Sequence, residues 1–276
     1  RMRLYAPEIA PRPGSPLIVV LHGCHQEAGA FAADSGWIQA ADRLGVPLLL
    51  PEQRAENNRG GCFNWFRPGD ITRGHGEAAS IYAMTVEATR RFASDKARVF
   101  VVGLSAGGAM AAALLAAYPD VFAAGAVVAG LPVGCADTVP AALARMSNAG
   151  PIVPASALAE RARHFGPPGY AAAWPRLSVW HGEADRTVDP GNGRALARQW
   201  AALHASTETA TGNIDGARLE RWGDDVELWT LPGLEHGYPI TPDHPNDGRA
   251  ARYVLDAPVS ATDRVLRFWG VERASA

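Results

Sequence analysis

Residues 98–118 constrain the fold more than any other part of the chain. The apolar run Val99-Phe100-Val101-Val102 predicts a buried strand, and the small residues from Gly108 onward predict a helix that Pro119 ends. Gly103-Leu104-Ser105-Ala106-Gly107 lies at the sharp turn between these two elements. So tight a turn strains its central residue and leaves no room for side chains two positions away, and the two glycines meet this requirement.

A serine at such a turn has its hydroxyl exposed at the N-terminus of the following helix, which is the nucleophile-elbow arrangement. The amide of the next residue, Ala106, is free to donate to a developing oxyanion. The motif alone carries little information in a chain with 29 glycines, but its position between a strand and a helix is informative. We therefore predict Ser105 as a nucleophile and Ala106 as an oxyanion donor.

Strand-like and helix-like stretches alternate along the chain, which predicts an α/β fold with a mostly parallel central sheet and helices on both faces. The predicted strands are residues 3–6, 17–21, 46–50, 98–102, 123–129, 177–180 and 226–231, and the predicted helices are residues 31–44, 76–92, 108–118, 193–203 and 261–269. No repeat or long linker divides the chain, so residues 1–276 are predicted to form a single catalytic domain. Residues 131–175 are less regular, and we expect an insertion that is either a partial lid or packing.

Composition and charge exclude several classes of partner. The net charge is −2, with no basic stripe, so a nucleic acid is not expected as a partner. No apolar run reaches the length of a membrane span, so we expect no membrane insertion. The N-terminus, Arg1-Met2-Arg3, does not resemble a signal peptide. Removal of a leader would favour a secreted or periplasmic protein, and otherwise the cytoplasm is expected; the oligomeric state is left open.

The acid of a hydrolase of this type follows the serine and lies on a loop after a later strand. Asp185 meets this condition, since it follows the predicted strand that ends at Trp180. It would hold the tautomer and orientation of a histidine. Glu183, Asp189 and Asp225 are the alternatives. Glu183 lies closer to the strand, Asp189 is expected to cap the next helix, and Asp225 precedes its strand.

The histidine is expected after the acid, on the loop that follows the last predicted strand. His236 satisfies this order and is followed by Gly237, in a loop that also holds Gly233, so we predict it as the general base. His244 is the alternative, in a proline-rich polar loop. The remaining candidates, His75, His164 and His204, are expected to be structural or exposed. No group of His, Cys, Asp and Glu has metal-ligand spacing, so neither a metal nor a cofactor is expected.

A second oxyanion donor is expected from the loop after an early strand, through a His-Gly motif. Leu21-His22-Gly23-Cys24 follows the predicted strand 17–21, and the amide of Cys24 is the candidate donor. We do not assign Cys24 as a nucleophile, since nothing around it resembles the environment of a catalytic cysteine.

Several motifs together resemble the poly(3-hydroxybutyrate) depolymerase family of esterases. The specific stretches are Leu21-His22-Gly23-Cys24-His25-Gln26, Cys62-Phe63-Asn64-Trp65-Phe66 and Gly74-His75-Gly76-Glu77-Ala78-Ala79-Ser80-Ile81, together with the serine motif, His181-Gly182 with Asp185, and Glu235-His236-Gly237-Tyr238-Pro239. The resemblance extends over residues 3–269.

The resemblance implies an α/β-hydrolase fold and a serine esterase with the triad Ser105, Asp185 and His236, and with Cys24 in the oxyanion hole. It favours a depolymerase or oligomer hydrolase of 3-hydroxyalkanoate polyesters, with a small-molecule or polyester substrate. A feruloyl or acetylxylan-type esterase is the alternative. Acyl transfer to an alcohol and a non-catalytic binding protein on the same fold are less favoured.

Aromatic residues near these motifs are candidates for the substrate wall. We predict that Trp65, Phe63 and Tyr238 bind substrate, and Phe66 and Trp174 are further candidates. The alternative is that these rings only pack the loops.

The chain has three cysteines, too few for a disulfide scaffold. Cys24 and Cys62 both lie in predicted site loops, so a disulfide between them is a specific hypothesis, which an oxidising compartment would favour.

Overall fold

The central element is a nine-stranded sheet with the order β1-β3-β2-β4-β5-β6-β9-β8-β7. The computed structural model describes residues 1–241 and 248–271. Its strands are β1 (Met2–Tyr5), β2 (Leu17–Leu21), β3 (Leu48–Pro51), β4 (Val99–Leu104), β5 (Ala124–Val128), β6 (Arg176–Gly182), β7 (Glu208–Ile214), β8 (Ala217–Trp222) and β9 (Val226–Leu231). The six adjacent strands β3, β2, β4, β5, β6 and β9 are parallel to one another. Strand β1 pairs antiparallel with β3, β8 with β9, and β7 with β8.

Helices cover both faces of this sheet. They are α1 (Ala28–Asp34), α2 (Trp37–Leu44), α3 (Pro68–Ile71), α4 (Gly76–Arg91), α5 (Ala106–Ala117), α6 (Val139–Ser147), α7 (Ala155–Arg163), α8 (Gly191–Leu203) and α9 (Ala261–Trp269). Successive side chains of a strand point to opposite faces, so Val19 belongs to the apolar layer under α4, α5 and α8, and Val20 to the layer under α1, α2 and α9. Within the described ranges, no helix is long and apolar enough to span a bilayer.

The helix α5 differs from the others because all twelve of its residues are buried. Its alanines and glycines let neighbouring elements approach it closely, and strands β4, β5 and β2 and helices α4 and α7 all pack against it. It is the helix that begins directly after Ser105.

The main differences from the sequence-based prediction have local causes. The helix predicted over 31–44 is broken into α1 and α2, because Gly36 adopts a left-handed conformation between them. The hairpin of β7 and β8 was not predicted. A second, two-stranded parallel sheet, β10 (Tyr238–Ile240) with β11 (Val254–Asp256), was also not predicted. Helix α8 begins at Gly191, and the carboxylate of Asp189 accepts the Gly191 amide at 2.8 Å.

The segment 131–175 contains two helices, one packed in the interior and one beside the pocket at Ser105. Helix α7 packs against α5 and α8. Helix α6 instead contributes side chains to the pocket beside Ser105. The segment therefore contributes both to packing and to the pocket wall.

Candidate active site

Ser105 lies between β4 and α5 with φ 57° and ψ −118°, a conformation that side-chain-bearing residues rarely adopt. The flanking glycines explain how the chain accommodates it. A Cβ at Gly103 would overlap the backbone of Gly107, and a Cβ at Gly107 would overlap the carbonyl groups of Leu21 and His22. The serine turn is therefore packed directly against the loop that follows β2.

Three predicted residues come together at the carboxyl edge of the parallel strands. The Oγ of Ser105 lies 3.0 Å from Nε2 of His236, and Nδ1 of His236 lies 2.7 Å from Oδ2 of Asp185. In the productive tautomer, Nδ1–H donates to the carboxylate and Nε2 accepts the serine proton. This arrangement can activate the serine as a nucleophile.

The carboxylate of Asp185 is fully buried and receives hydrogen bonds at both oxygens. Oδ1 accepts from the amides of Thr187 and Val188, each at 2.8 Å. Oδ2 accepts from His236 and lies 3.2 Å from Nε2 of His181. Burial by itself would raise the pKa of Asp185, but the hydrogen bonds from His181 and His236 outweigh it and hold this pKa well below its usual range. The group therefore remains a carboxylate.

The alternative residues lie elsewhere. Glu183 is exposed, Asp189 accepts the amides of Gly191 and Ala149, and Asp225 lies 3.5 Å from His204. None of these three carboxylates contacts His236 in the described parts of the chain. His244 lies outside the described residues.

His181 is a buried residue of the site that was not among the predicted catalytic residues. Its single Nε2–H is shared between the carbonyl of Val188 at 2.9 Å and Oδ2 of Asp185 at 3.2 Å. Its ring packs so closely on α8 that a Cβ at Gly193 would lie 2.8 Å from Nδ1. The sequence signal for this pair is the spacing of four residues between His181 and Asp185.

Two backbone amides are free to face the site. Ala106 is the first residue of α5, so its amide has no helical acceptor. Among the described residues, no acceptor is found for the Cys24 amide either. Both residues line the pocket beside Ser105. These are the two donors predicted for an oxyanion hole.

His22 fixes the direction of the Cys24 amide. Its Nδ1–H donates to the carbonyl of Gly23 at 2.7 Å, and its Nε2 accepts from the Gln53 amide at 3.1 Å. Burial lowers the pKa of His22, which favours this neutral form. In a planar trans peptide the carbonyl and the following N–H point in opposite directions. Holding the Gly23 carbonyl therefore also holds the Cys24 N–H.

The pocket at Ser105 has a volume of about 220 Å³ and mainly apolar walls. Its lining residues are Cys24, Asn58, Cys62, Trp65, Phe66, Ser105, Ala106, Leu131, Val139, Ala142, Leu143 and Met146. The charged side chains of Asp, Glu, Lys and Arg are absent from this set. Among the described residues, no cluster of His, Cys, Asp and Glu could hold a metal ion.

The aromatic wall differs from the prediction in part. Trp65 and Phe66 line the pocket, but Phe63 and Tyr238 do not. The Phe63 ring packs 5.1 Å from that of His22. Tyr238 is fully buried in the layer under α9, where its hydroxyl lies 2.9 Å from that of Thr262. Trp174 is buried against Tyr170, away from the pocket. A motif position shows that a ring is near a site, but not which way it points.

The predicted disulfide is present. Cys24 and Cys62 are bonded, with their Cα atoms 4.3 Å apart and 38 positions apart in sequence, while Cys135 is free. The bond joins the loop of the predicted oxyanion donor, Cys24, to the loop that carries Trp65.

Removing this disulfide in a Cys24→Ser/Cys62→Ser variant is expected to lower the free energy of unfolding by about 3 to 4 kcal/mol, because it closes a long loop in the unfolded chain. Urea unfolding measures the change. Cys135→Ser is the control, since it removes a thiol but no cross-link. Equal stability of the double variant and the control would contradict a structural role for the bond.

The geometry can be compared with known proteins. A family described as Esterase PHB depolymerase matches residues 1–222, which include Ser105 and Asp185 but not His236. Poly(3-hydroxyalkanoate) depolymerase C of Paucimonas lemoignei is 38% identical over 266 residues, covering 93% of this chain and 64% of that protein. The chain thus spans less than two thirds of the length of this relative.

Two further comparisons involve esterases of the fungal genus Aspergillus. Acetylxylan esterase A of Aspergillus oryzae is 30% identical, over 87% of this chain and 80% of that protein. The solved structure of an acetyl xylan esterase from Aspergillus awamori superposes with a TM-score of 0.84 at 22% identity, covering 98% of this chain and 94% of that one. This structural similarity shows the α/β-hydrolase fold. The family match and these relatives, all carboxylic-ester hydrolases by name, establish that the chain belongs to the Esterase PHB depolymerase family.

Proposed function

We propose that this chain hydrolyses carboxylic esters through an acyl-serine intermediate and prefers short, uncharged aliphatic acyl groups of the 3-hydroxyalkanoate type. The observation that supports this most strongly is the pocket at Ser105, whose walls are apolar and whose volume of about 220 Å³ suits a short acyl chain. The 38% identity to a poly(3-hydroxyalkanoate) depolymerase agrees with it.

The reaction begins with transfer of the Ser105 proton to Nε2 of His236. The serine oxygen then attacks the ester carbonyl carbon, and the amides of Cys24 and Ala106 donate to the oxyanion. As the carbon–oxygen bond to the alcohol breaks, His236 returns its proton to the leaving alcohol. Water then adds to the acyl-serine by the same steps, which releases the acid and restores Ser105.

Removal of an acetyl or feruloyl group from a polysaccharide is the second candidate. The acetylxylan esterase relative supports it, and an acetyl group also fits the pocket. Asn58 is a neutral polar side chain in the lining, and its amide could contact a sugar hydroxyl. Transfer of the acyl group to an alcohol instead of water would use the same residues and differ only in the acceptor.

The deciding experiment compares four substrates: soluble 3-hydroxybutyrate trimer, poly(3-hydroxybutyrate) film, methyl ferulate and acetylated xylan. A Ser105→Ala variant gives the background rate. Cleavage of trimer and film supports a depolymerase, and cleavage of trimer alone supports an oligomer hydrolase. If only ferulate or acetate is released, the acyl preference proposed here is wrong. An added alcohol that captures most of the acyl group would indicate a transferase.

A charge at the pocket rim is expected to disturb acyl binding. Leu143 lines the pocket and is 61% exposed, so Leu143→Asp should fold normally. We expect it to raise the KM for p-nitrophenyl butyrate about tenfold, since about 1.4 kcal/mol of apolar contact is lost. Val86→Asp is the matched control, because Val86 is 50% exposed on α4 and absent from this pocket. Equal KM values for the two variants would contradict the assignment of α6 to the acyl site.

We also propose that the protein works in an oxidising compartment, outside the cytoplasm. The bond between Cys24 and Cys62 supports this, because disulfides persist in such compartments and are rare in the cytosol. Thiol titration of unfolded, unreduced protein from its native host tests it. One free thiol per chain is expected, and three would contradict the proposal.

A further inference from the structure

Glu77 is a buried carboxylate to which the catalytic steps above give no role. It lies in the first turn of α4 and is 9% exposed. Its two oxygens accept three hydrogen bonds: from Nε2 of Gln53 at 2.5 Å, from the amide of Asn64 at 2.8 Å and from Nδ2 of Asn64 at 2.7 Å. Both donor residues belong to the long connection between β3 and α3.

The contact with Gln53 leads to the oxyanion loop. The other Nε2 hydrogen of Gln53 reaches the carbonyl of Cys62 at 3.1 Å, so this side chain spans the connection. The backbone amide of Gln53 donates to Nε2 of His22, which in turn holds the Gly23 carbonyl. Displacement of Gln53 would therefore loosen the His22 ring and remove one restraint on the direction of the Cys24 amide.

The contacts with Asn64 lead to the substrate wall. Asn64 directly precedes Trp65, and its Oδ1 accepts from Nδ2 of Asn58 at 3.0 Å. Asn58 and Trp65 both line the pocket at Ser105. The same carboxylate thus contacts the supports of both the oxyanion loop and the pocket wall.

The Cys24–Cys62 disulfide and the buried rings of Trp65 and Phe66 also hold this connection, and Glu77 adds the hydrogen bonds that hold Gln53 and Asn64. A cavity of about 380 Å³ lies beside it, lined by Gln53, Asn57, Asn64, Arg67 and Glu77 among others. The connection therefore borders open space at Gln53 and Asn64. At Gln53 and Asn64 the hydrogen bonds to Glu77 supply positional restraint beside this cavity.

We propose that Glu77 is a positioning residue that aligns the oxyanion donor Cys24 and the pocket wall at Trp65 with Ser105. Its part is indirect, since it contacts neither the triad nor the pocket. The proposal rests on the hydrolytic function proposed above, because it concerns the same site.

A carboxylate is specifically suited to this place because all three of its partners are donors. A glutamine has one acceptor oxygen and one donor NH₂ group. If the glutamine oxygen takes the place of Oε1, it accepts from the side chains of Gln53 and Asn64, and the NH₂ group then faces the backbone amide of Asn64. In the opposite orientation, the NH₂ group faces Nε2 of Gln53 and Nδ2 of Asn64. Either orientation places two donors against each other and displaces at least one loop support.

The test compares Glu77→Gln with Glu87→Gln, a control on the same helix whose side chain is 43% exposed. Active sites are first counted with a fluorophosphonate that reacts at the catalytic serine, so that misfolded protein does not contribute to the rates. For p-nitrophenyl acetate, we expect kcat per titrated site to fall about tenfold in Glu77→Gln, with KM changed less than about twofold. Circular dichroism and thiol titration establish that fold and disulfide are intact.

A purely structural role would lower the melting temperature or the number of titrated sites without changing kcat per site. Equal kcat per site in Glu77→Gln and Glu87→Gln would therefore overturn the proposal. If Glu77→Gln does not fold, Gln53→Met serves instead, since it removes the same link at similar volume, and a kcat per site equal to wild type would again overturn it. Failure of the wild type to cleave the ester or to react with the probe would contradict the proposed function instead.

Discussion

Replacing Ser105 with alanine is expected to lower kcat for p-nitrophenyl acetate by about a millionfold. The structure gives the reason: Oγ of Ser105 lies 3.0 Å from Nε2 of His236 and beside two free amides, so the hydroxyl is the only group at this point able to form the acyl-enzyme among the described residues. Cys24 cannot replace it, because its sulfur is bonded to Cys62. Steady-state hydrolysis measured against a blank without enzyme gives the ratio.

Two further variants serve as a control for activity and as a test of backbone strain at Ser105. Ser156→Ala, at an exposed position of α7, is the control and should keep wild-type activity. Ser105→Gly should be as inactive as Ser105→Ala but more stable than it by about 1 kcal/mol, since glycine tolerates φ 57° without a Cβ penalty. If Ser105→Ala kept more than about one thousandth of the wild-type kcat, another residue would be the nucleophile.

Asp185→Asn is expected to lower kcat by about ten thousandfold while leaving the fold intact. All four neighbours of this carboxylate are donors: two amides at Oδ1 and the two histidines at Oδ2. An asparagine that keeps its oxygen toward the amides turns its NH₂ group toward Nδ1 of His236. That nitrogen must then accept, so the proton moves to Nε2, and His236 no longer accepts from Ser105.

Glu183→Gln is the matched control for this prediction. Glu183 is an exposed carboxylate two positions away on the same loop and was the alternative acid, so its removal should leave kcat within about twofold of wild type. The Nδ1 proton of His236, followed by NMR, should be present in the wild type and absent in Asp185→Asn. If Asp185→Asn kept kcat within about tenfold of wild type, another group would be orienting the histidine.

Much of this architecture could be predicted because the secondary-structure pattern and the order of the motifs along the chain indicate the same fold. The β-branched strands, the Gly-x-Ser-x-Gly turn and the order of Ser105, Asp185 and His236 all indicate the same fold. Strand ends in a parallel sheet meet at one edge, so residues far apart in sequence could be placed together. Cys24, the predicted oxyanion donor, could be placed beside Ser105 for the same reason.

The hairpin of β7 and β8 was missed although its signal was present. Asp215 and Gly216 form a two-residue turn in which both φ angles are positive, 50° and 84°. An Asp-Gly pair between two extended segments is a strong hairpin signal. The polar and charged residues on either side obscured it, because the outer strand lies at the edge of the sheet, where an apolar pattern is not required.

Side-chain direction could not be predicted in the same way. Tyr238 and Phe63 lie within motifs of the site, yet their rings point into packed layers. Conversely, the contacts of His181 and Glu77 connect residues whose proximity depends on tertiary packing. Which face of a loop is buried is decided by its neighbours, and a local motif does not contain that information.

The complete burial of α5 has a consequence for how this molecule can diversify. Ser105 directly precedes this helix, and Ala106 and Gly107, whose Cα lies against the carbonyls of Leu21 and His22, belong to it. Because the helix is buried along its whole length, almost any substitution there costs packing energy. The acyl pocket is instead bordered by α6, whose outer residues are exposed, and by the connection that carries Trp65. Substitutions can therefore accumulate at the border and change substrate preference while the reaction centre remains constant. A division between a buried reaction centre and an exposed pocket border would let one fold serve esterases of different substrate preference.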